Sequence, residues 1–286
     1  MARNHPWLRM LVYAGRGDMD RRLQHRQSFD QPPMKVVAII AARMGSTRLQ
    51  GKVMMPLGQM PVLGWVWRAA AAAHLVDSVW IATTTEKRDD EIVEWCRKNQ
   101  FNCWRGSEDD VLDRFVGCAE QARADVVVRL TGDCPLLDPR IISEVIMLRN
   151  RTGAAYASNV DPPSFADGLD VEVVTIEALL AAHREAVRPS DRDTVVQWIS
   201  RNHTRWPSAT LICPIPGLSA ERWVLDQAED YAFCKAVTEK LPHAAHYPPG
   251  MIEILAVLDK YPELRLINNM WKRNERFAAV IGNENA

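Results

Sequence analysis

Residues 36–42 read VVAIIAA, an apolar run long enough for one strand buried on both faces. The run breaks at Arg43-Met44-Gly45-Ser46-Thr47-Arg48, and Gly51-Lys52 follow shortly after. A strand covered on both sides belongs in the middle of a parallel sheet, and open parallel sheets bind ligands just beyond the C-terminal ends of their strands. Arg43, Arg48 and Lys52, two hydroxyls and two glycines therefore fall where a ligand is expected. Cations, hydroxyls and unencumbered backbone N–H groups are what a polyphosphate needs. Neither common phosphate scaffold fits. Five residues separate Gly45 from Gly51 and Val53 follows Lys52, so the P-loop spacing fails, and G-x-G-x-x-G is absent from this loop.

Strand and helix signals alternate from Met34 onward. Strands are expected over 36–42, 78–83, 101–104 and 125–130, with helices over 62–74, 90–99 and 109–122 between them. Asp138-Pro139 opens a further helix, with Asp as N-cap and Pro in the first turn, which accounts for Asp138 without a functional role. This βα alternation predicts a parallel sheet with helices on both faces. After Gly153 the regularity weakens. Strands are expected over 154–158, 169–174, 210–213 and 222–225, and helices over 176–186, 193–200, 227–240, 252–258 and 263–277. Met1–Pro33 is polar and aperiodic and reads as a disordered leader, or as the product of an upstream start codon with Met34 as the working start, in preference to a targeting or partner-binding arm.

The net charge of the 286 residues is -1, which gives no general electrostatic case for nucleic acid or an anionic membrane as partner. No apolar stretch approaches the roughly 20 residues of a membrane span. The six cysteines have no C-x-x-C or zinc spacing and read as reduced thiols of a cytoplasmic protein. No histidine falls into a metal pair or a nucleophile triad. Asp133 follows a buried strand in Thr131-Gly132-Asp133-Cys134-Pro135, a place that suits a metal ligand or a turn. Asp226, three residues before Glu229, suits a metal carboxylate or a helix cap. Asp170 and Glu172 lie two apart on an expected strand, so both should face one side, toward an acceptor or toward solvent.

Several blocks taken together resemble the sugar-acid cytidylyltransferases, the CMP-sialic acid and CMP-Kdo synthetases, and most of all the spore-coat-polysaccharide branch. The blocks are residues 42–52, 105–114 (RGSEDDVLDR), 129–136 (RLTGDCPL), 167–172 (DGLDVE), 222–230 and 255–275, in that order. The resemblance implies a Rossmann-like α/β fold of the nucleotide-diphospho-sugar transferase (GT-A-like) type, a three-layer sandwich on a mainly parallel sheet. It implies a cytidylyltransferase domain over 34–240, an acceptor and dimerisation segment over about 153–213, a helical extension over 241–286 and a homodimer. The implied reaction is attack of a hydroxyl of a small anionic acceptor on the α-phosphorus of CTP, with pyrophosphate leaving, chemistry that is mostly positioning and charge neutralisation. Arg43, Ser46, Arg48 and Lys52 would then hold the triphosphate. Ala41, Ala42, Gly45, Thr83, Arg105, Gly106 and Arg129 would line the nucleotide. Asp133 and Asp226 would hold Mg²⁺, and Asp170 and Glu172 would meet the acceptor.

The chain departs from that branch at residues 192–198, RDTVVQW, where a histidine, a threonine and a tyrosine of the usual pattern are replaced. The alternatives are a sugar-1-phosphate nucleotidyltransferase, which more often carries a glycine-rich G-x-G-T-R-like loop, a GT-A glycosyltransferase, which would carry D-x-D where this chain has Asp133-Cys134-Pro135, and a non-catalytic nucleotide-binding paralogue.

Overall fold

The computed structural model describes residues 34–273 except 242, 244 and 245, so the leader lies outside the described residues. The apolar run becomes β1 (Val36–Ala41), with Val37, Ala38, Ile39 and Ile40 fully buried. A small antiparallel ribbon, β2 (Pro56–Leu57) and β3 (Met60–Pro61), leads into α1 (Val62–Ala72). Then come β4 (Ser78–Thr84), α2 (Asp90–Asn99), β5 (Asn102–Gly106), α3 (Val111–Ala122), β6 (Val126–Thr131) and α4 (Pro139–Thr152). The less regular part adds β7 (Tyr156–Ser158), β8 (Glu172–Thr175), α5 (Ile176–Glu185), α6 (Pro189–Thr194), α7 (Gln197–Arg201) and β9 (Ser208–Thr210). Two helices close the described chain, α8 (Ala228–Lys240) and α9 (Met251–Lys260).

The main sheet runs in the order β5-β4-β1-β6-β8-β7-β9. It is mostly parallel, but β8 runs antiparallel to both β6 and β7. Alternate residues of β1 feed two cores. Ala38 and Ile40 pack with α1, α4, α8 and α9, while Val37 and Ile39 pack with α3, α5 and α7. Each fully buried Val or Ile side chain contributes about 1.5–3 kcal/mol, and with Val37 and Ile39 on one face and Ile40 on the other β1 is held from both. Ala41 stands opposite Ala82 of β4 and Thr131 of β6. β1 and β6 therefore finish level, β4 runs two residues further, and the loops that follow them open on one edge of the sheet.

Five expectations need correction. The strand expected over 210–213 lies instead at Ser208–Thr210, and residues 211–213 join no strand. No strand forms over 222–225; Arg222 makes a single bridge to Asp167, and the chain then turns into the cap of α8. The strand expected at 169 starts at Glu172. Ahead of it, Gly168 adopts φ +106 and the Asn159 amide takes over Val171 N–H and Leu169 C=O, each within 2.8 Å, so side chain replaces ladder there. The helix expected over 193–200 splits into α6 and α7 at buried Val195, whose φ of +74 no helix accommodates. The helix expected over 263–277 is a 3-10 turn, Pro262–Leu266, followed by turns as far as the chain is described.

Candidate active site

The site is assembled where β1, β4 and β6 end. Ala41 C=O accepts from Gly132 N at 2.8 Å, and Ala42 N donates to Ala82 O at 3.2 Å. A Cβ on Gly132 would stand 3.0 Å from Ala41 O and 3.2 Å from Ala42 Cβ, so glycine is what lets the end of β6 close on the end of β1. The cationic loop folds back on itself, because Met44 O accepts from both Ser46 N (2.9 Å) and Gly51 N (3.0 Å), and Gly51 turns with φ +68. The Ser46 hydroxyl accepts from Leu49 N at 3.5 Å. An unanticipated residue anchors the loop. Asp89, fully buried ahead of α2, accepts from Met44 N (2.7 Å), Thr84 N (3.2 Å) and the Thr84 hydroxyl.

Lys52 is the hub. Its Nζ donates to Asp133 Oδ2 at 2.6 Å and to Asp226 Oδ1 at 2.7 Å, and Arg48 Nη2 meets the same Asp226 oxygen at 2.7 Å. Three parts of the chain remote in sequence thus meet at one point. Leu225 N donates to Asp133 O at 2.8 Å, which draws Asp226 alongside Asp133. The two readings of Asp226 are separated here. Asp230, with Gln227, forms the capping box of α8 and accepts from Asp226 N and Gln227 N, so the Asp226 carboxylate is left for the basic cluster. Arg222 backs this arrangement. Its guanidinium grips Asp230 through two bonds, 2.9 and 2.8 Å, and approaches Asp167 at 3.3 Å and Asp226 at 3.7 Å.

Charge follows geometry. Burial raises the Asp133 carboxyl, but the Lys52 ammonium and the Thr131 hydroxyl more than offset it and bring it down to about 2. Burial likewise pulls the Lys52 ammonium down, and the Asp133 and Asp226 carboxylates reverse this, leaving it above its ordinary value. Both partners are charged at neutral pH.

The remaining site residues stand around this hub in separate groups. Arg43 reaches Glu108, its Nη1 3.7 Å from the carboxylate and 3.5 Å from the carbonyl oxygen. Arg105 ties β5 to the end of β4 through Thr84 O (2.8 Å), Glu86 O (2.9 Å) and Asp90 (2.7 Å). Gly106 lies under the stem of Arg114, where a Cβ would come within 3.0 Å of Cγ. Thr83 is fully buried, and its hydroxyl has no partner among the described residues. Arg129 lies two residues before the end of β6 and pairs with Glu172, which also accepts from the Tyr156 hydroxyl at 2.7 Å. Asp170 precedes β8, so it does not share a strand face with Glu172, and it accepts from Arg273 at 2.7 Å. Burial pushes the Asp170 carboxyl up to about 7 against the pull of Arg273. A carboxyl raised on folding stabilises below its unfolded value near 3.8 and loses that contribution as pH climbs toward 7. Unfolding free energy is accordingly expected to decline between about pH 4 and pH 7, and Asp170→Asn to flatten the decline; denaturant titrations over that range check this, and an unchanged slope in the variant counts against it.

Asp89 escaped the sequence reading, and Arg222 and Asp230 entered it only as members of the 222–230 block, with no role assigned. An acid just ahead of an amphipathic helix was the available signal for Asp89; the Arg222–Asp230 pair carries none that separates it from surface charge. Among the described residues no group of three or more His, Cys, Asp or Glu side chains is placed to hold a metal ion. All six cysteines are free, and no described helix is long and apolar enough to cross a membrane.

The family profile for cytidylyltransferases matches residues 37–209, which spans the loop after β1, Asp133 and the acidic residues before β8. The chain belongs to the cytidylyltransferase family. It is similar to the spore coat polysaccharide biosynthesis protein SpsF of Bacillus subtilis, 33% identical over 235 residues that cover 80% of this chain and 95% of that one. It also resembles the 3-deoxy-manno-octulosonate cytidylyltransferase of Acidobacterium capsulatum, 37% identical over 108 residues, 37% of this chain and 42% of that one. Among solved structures, a cytidylyltransferase from Leptospira borgpetersenii superposes with a TM-score of 0.76 at 29% identity, covering 81% of this chain and 97% of that one. The enzyme is a nucleotidyltransferase by membership, and its mixed, mostly parallel sheet is the family's fold.

Proposed function

We propose that the enzyme transfers CMP from CTP to a hydroxyl of a small anionic acceptor, such as a sugar acid, and releases pyrophosphate. The observation that carries this reading is the convergence of Arg48, Lys52, Asp133 and Asp226 beyond the ends of β1 and β6. A triphosphate needs cations on its oxygens and carboxylates for its metal, and both are present at one point. Arg48 and Lys52 neutralise the departing pyrophosphate, and Arg43, Gly45 and the Ser46 hydroxyl hold the chain of phosphates. Arg105, Gly106 and Thr83 belong to the nucleoside side.

The donor set fits Mg²⁺. Asp133 and Asp226 offer hard carboxylate oxygens that already converge on one cationic group, the Lys52 ammonium. Magnesium takes one or two protein carboxylates when phosphate oxygens complete its octahedron, so the lack of a larger described cluster suits it. When bound, it would neutralise and orient the triphosphate. Asp133 stays ionised over the working range and is ready to serve.

The acceptor side lies at Asp170 and Glu172 with their partners Arg273 and Arg129. Each of these arginines keeps a buried Nε–H without a partner among the described residues, a donor suited to an anionic acceptor. The naming of SpsF supports a place in surface-polysaccharide assembly. We further infer a cytoplasmic homodimer, with residues 153–213 in the subunit contact and 241–286 as an extension of the catalytic domain.

Pyrophosphate release measured with each nucleoside triphosphate and a panel of acidic acceptors tests the reaction. Release is expected with CTP alone; no CTP-dependent release with any acceptor, together with no CTP binding by calorimetry, overturns it. Arg48→Ala removes a charged partner of the phosphates and is expected to lower kcat/KM for CTP by roughly a hundredfold. An Arg48→Ala enzyme with wild-type kcat/KM would remove Arg48 from the site.

A further inference from the structure

The phosphate loop has a neighbour that neither the sequence reading nor the family match assigns. A Cβ built on Gly45 would lie 3.1 Å from Cζ, Nε and Nη2 of Arg88, so the Arg88 guanidinium is laid against the loop at its glycine. Arg88 is not a loop residue; it arrives from the turn after β4. Its place is set by the residue that follows it, because Asp89 binds Met44 N in the loop and Thr84 at the end of β4. The Arg88 guanidinium is paired with Glu108, and the same carboxylate stands 3.7 Å from Arg43. The Glu108 carboxylate is thus divided between two guanidinium groups and saturates neither. A phosphate carries more charge and more acceptor oxygens than a carboxylate and competes well for guanidinium groups.

We propose that Arg88 is a further phosphate-binding cation, and that Glu108 is an internal anion that holds Arg88 and Arg43 in place until the triphosphate displaces it. The proposal rests on the reading of this loop as the CTP triphosphate site. Arg88 is 47% exposed, so its replacement leaves the core untouched. Glu108 is mostly covered, and its Gln variant removes the carboxylate charge while leaving the backbone carbonyl that Arg43 also approaches.

The test is calorimetric titration of wild type, Arg88→Ala, Arg88→Lys and Glu108→Gln with CTP and, separately, inorganic pyrophosphate at fixed salt. Arg88→Ala is expected to weaken both ligands roughly tenfold, with Arg88→Lys between it and wild type. Glu108→Gln is expected to tighten both by about threefold or more, since the competing carboxylate charge is gone. A merely structural pair would weaken binding in both variants or in neither; opposite signs distinguish the two. Glu108→Gln binding no tighter than wild type, or Arg88→Ala binding as well as wild type, overturns the proposal while the loop assignment stands. Wild-type protein that binds neither probe overturns the loop assignment and this proposal together.

Discussion

Asp133→Asn should lower kcat by about a thousandfold while leaving the enzyme folded. The substitution keeps the shape of the side chain but removes one of the two carboxylates at the hub. Lys52 retains Asp226 at 2.7 Å, so the ammonium is not stranded, and a change in Tm of only a few degrees is expected. The lost charge is the one that would hold the metal and set the position of Lys52, and losses of about 4 kcal/mol in transition-state stabilisation correspond to that rate factor. Single-turnover pyrophosphate release and a thermal melt on the same preparation check both halves. Activity within tenfold of wild type would show that Asp133 only shapes the turn after β6. The pH dependence has a defined sign. Asp133 is depressed on folding, so its stabilising contribution is complete above about pH 4 and is lost as pH falls toward 2. Lys52 is raised, so its contribution is complete below 10.5 and is lost as pH climbs past that value. Between those limits the pair contributes no slope, and any limb near neutrality in the rate profile arises elsewhere.

Arg222→Ala is expected to lower unfolding free energy by about 3–5 kcal/mol, the cost of leaving a buried charge without its partner. Asp230 is fully buried, and Arg222 holds it through two bonds of 2.9 and 2.8 Å; Asn268 Nδ2 at 2.9 Å cannot replace the charge. Asp167 loses its 3.3 Å partner at the same time. Urea unfolding of wild type, Arg222→Ala and Arg222→Lys checks this, with the lysine variant expected between the other two because it keeps charge but not the two-pronged grip. A loss under about 1 kcal/mol would place Arg222 among ordinary surface pairs. Activity should fall in parallel, since Asp226 hangs between Leu225, whose amide is bound to Asp133, and the cap built by Asp230.

The parts of the site that were readable in the sequence are those with a local signature. The apolar run of β1 and the glycines, hydroxyls and cations after it could be placed without any tertiary contact, and so could the Thr131–Pro135 turn after β6. The acidic pair Asp170 and Glu172 was separated by a different kind of interaction: the Asn159 amide occupies the backbone of 169 and 171, so Asp170 never joins the strand that Glu172 begins. Periodicity cannot register a side chain that competes with a ladder from ten residues away. Asp226 was ambiguous for a related reason. Asp226 with Glu229 and Gln227 with Asp230 both carry the spacing of a capping box, and in the structure α8 is capped by Gln227 and Asp230.

Local pattern was enough for the order of elements, the burial of β1 on two faces and the position of a phosphate loop beyond it, because strand burial and turn chemistry depend on neighbours within a few residues. The meeting of Lys52 with Asp133 and Asp226 depends on something else. Those contacts span 81 and 174 residues, and they exist because β1 and β6 end in register and Leu225 is hydrogen-bonded to Asp133. Charge pairing at that range is set by where the sheet delivers each strand end, so the loop could be recognised from its own residues, but its carboxylate partners became definite only in the folded chain.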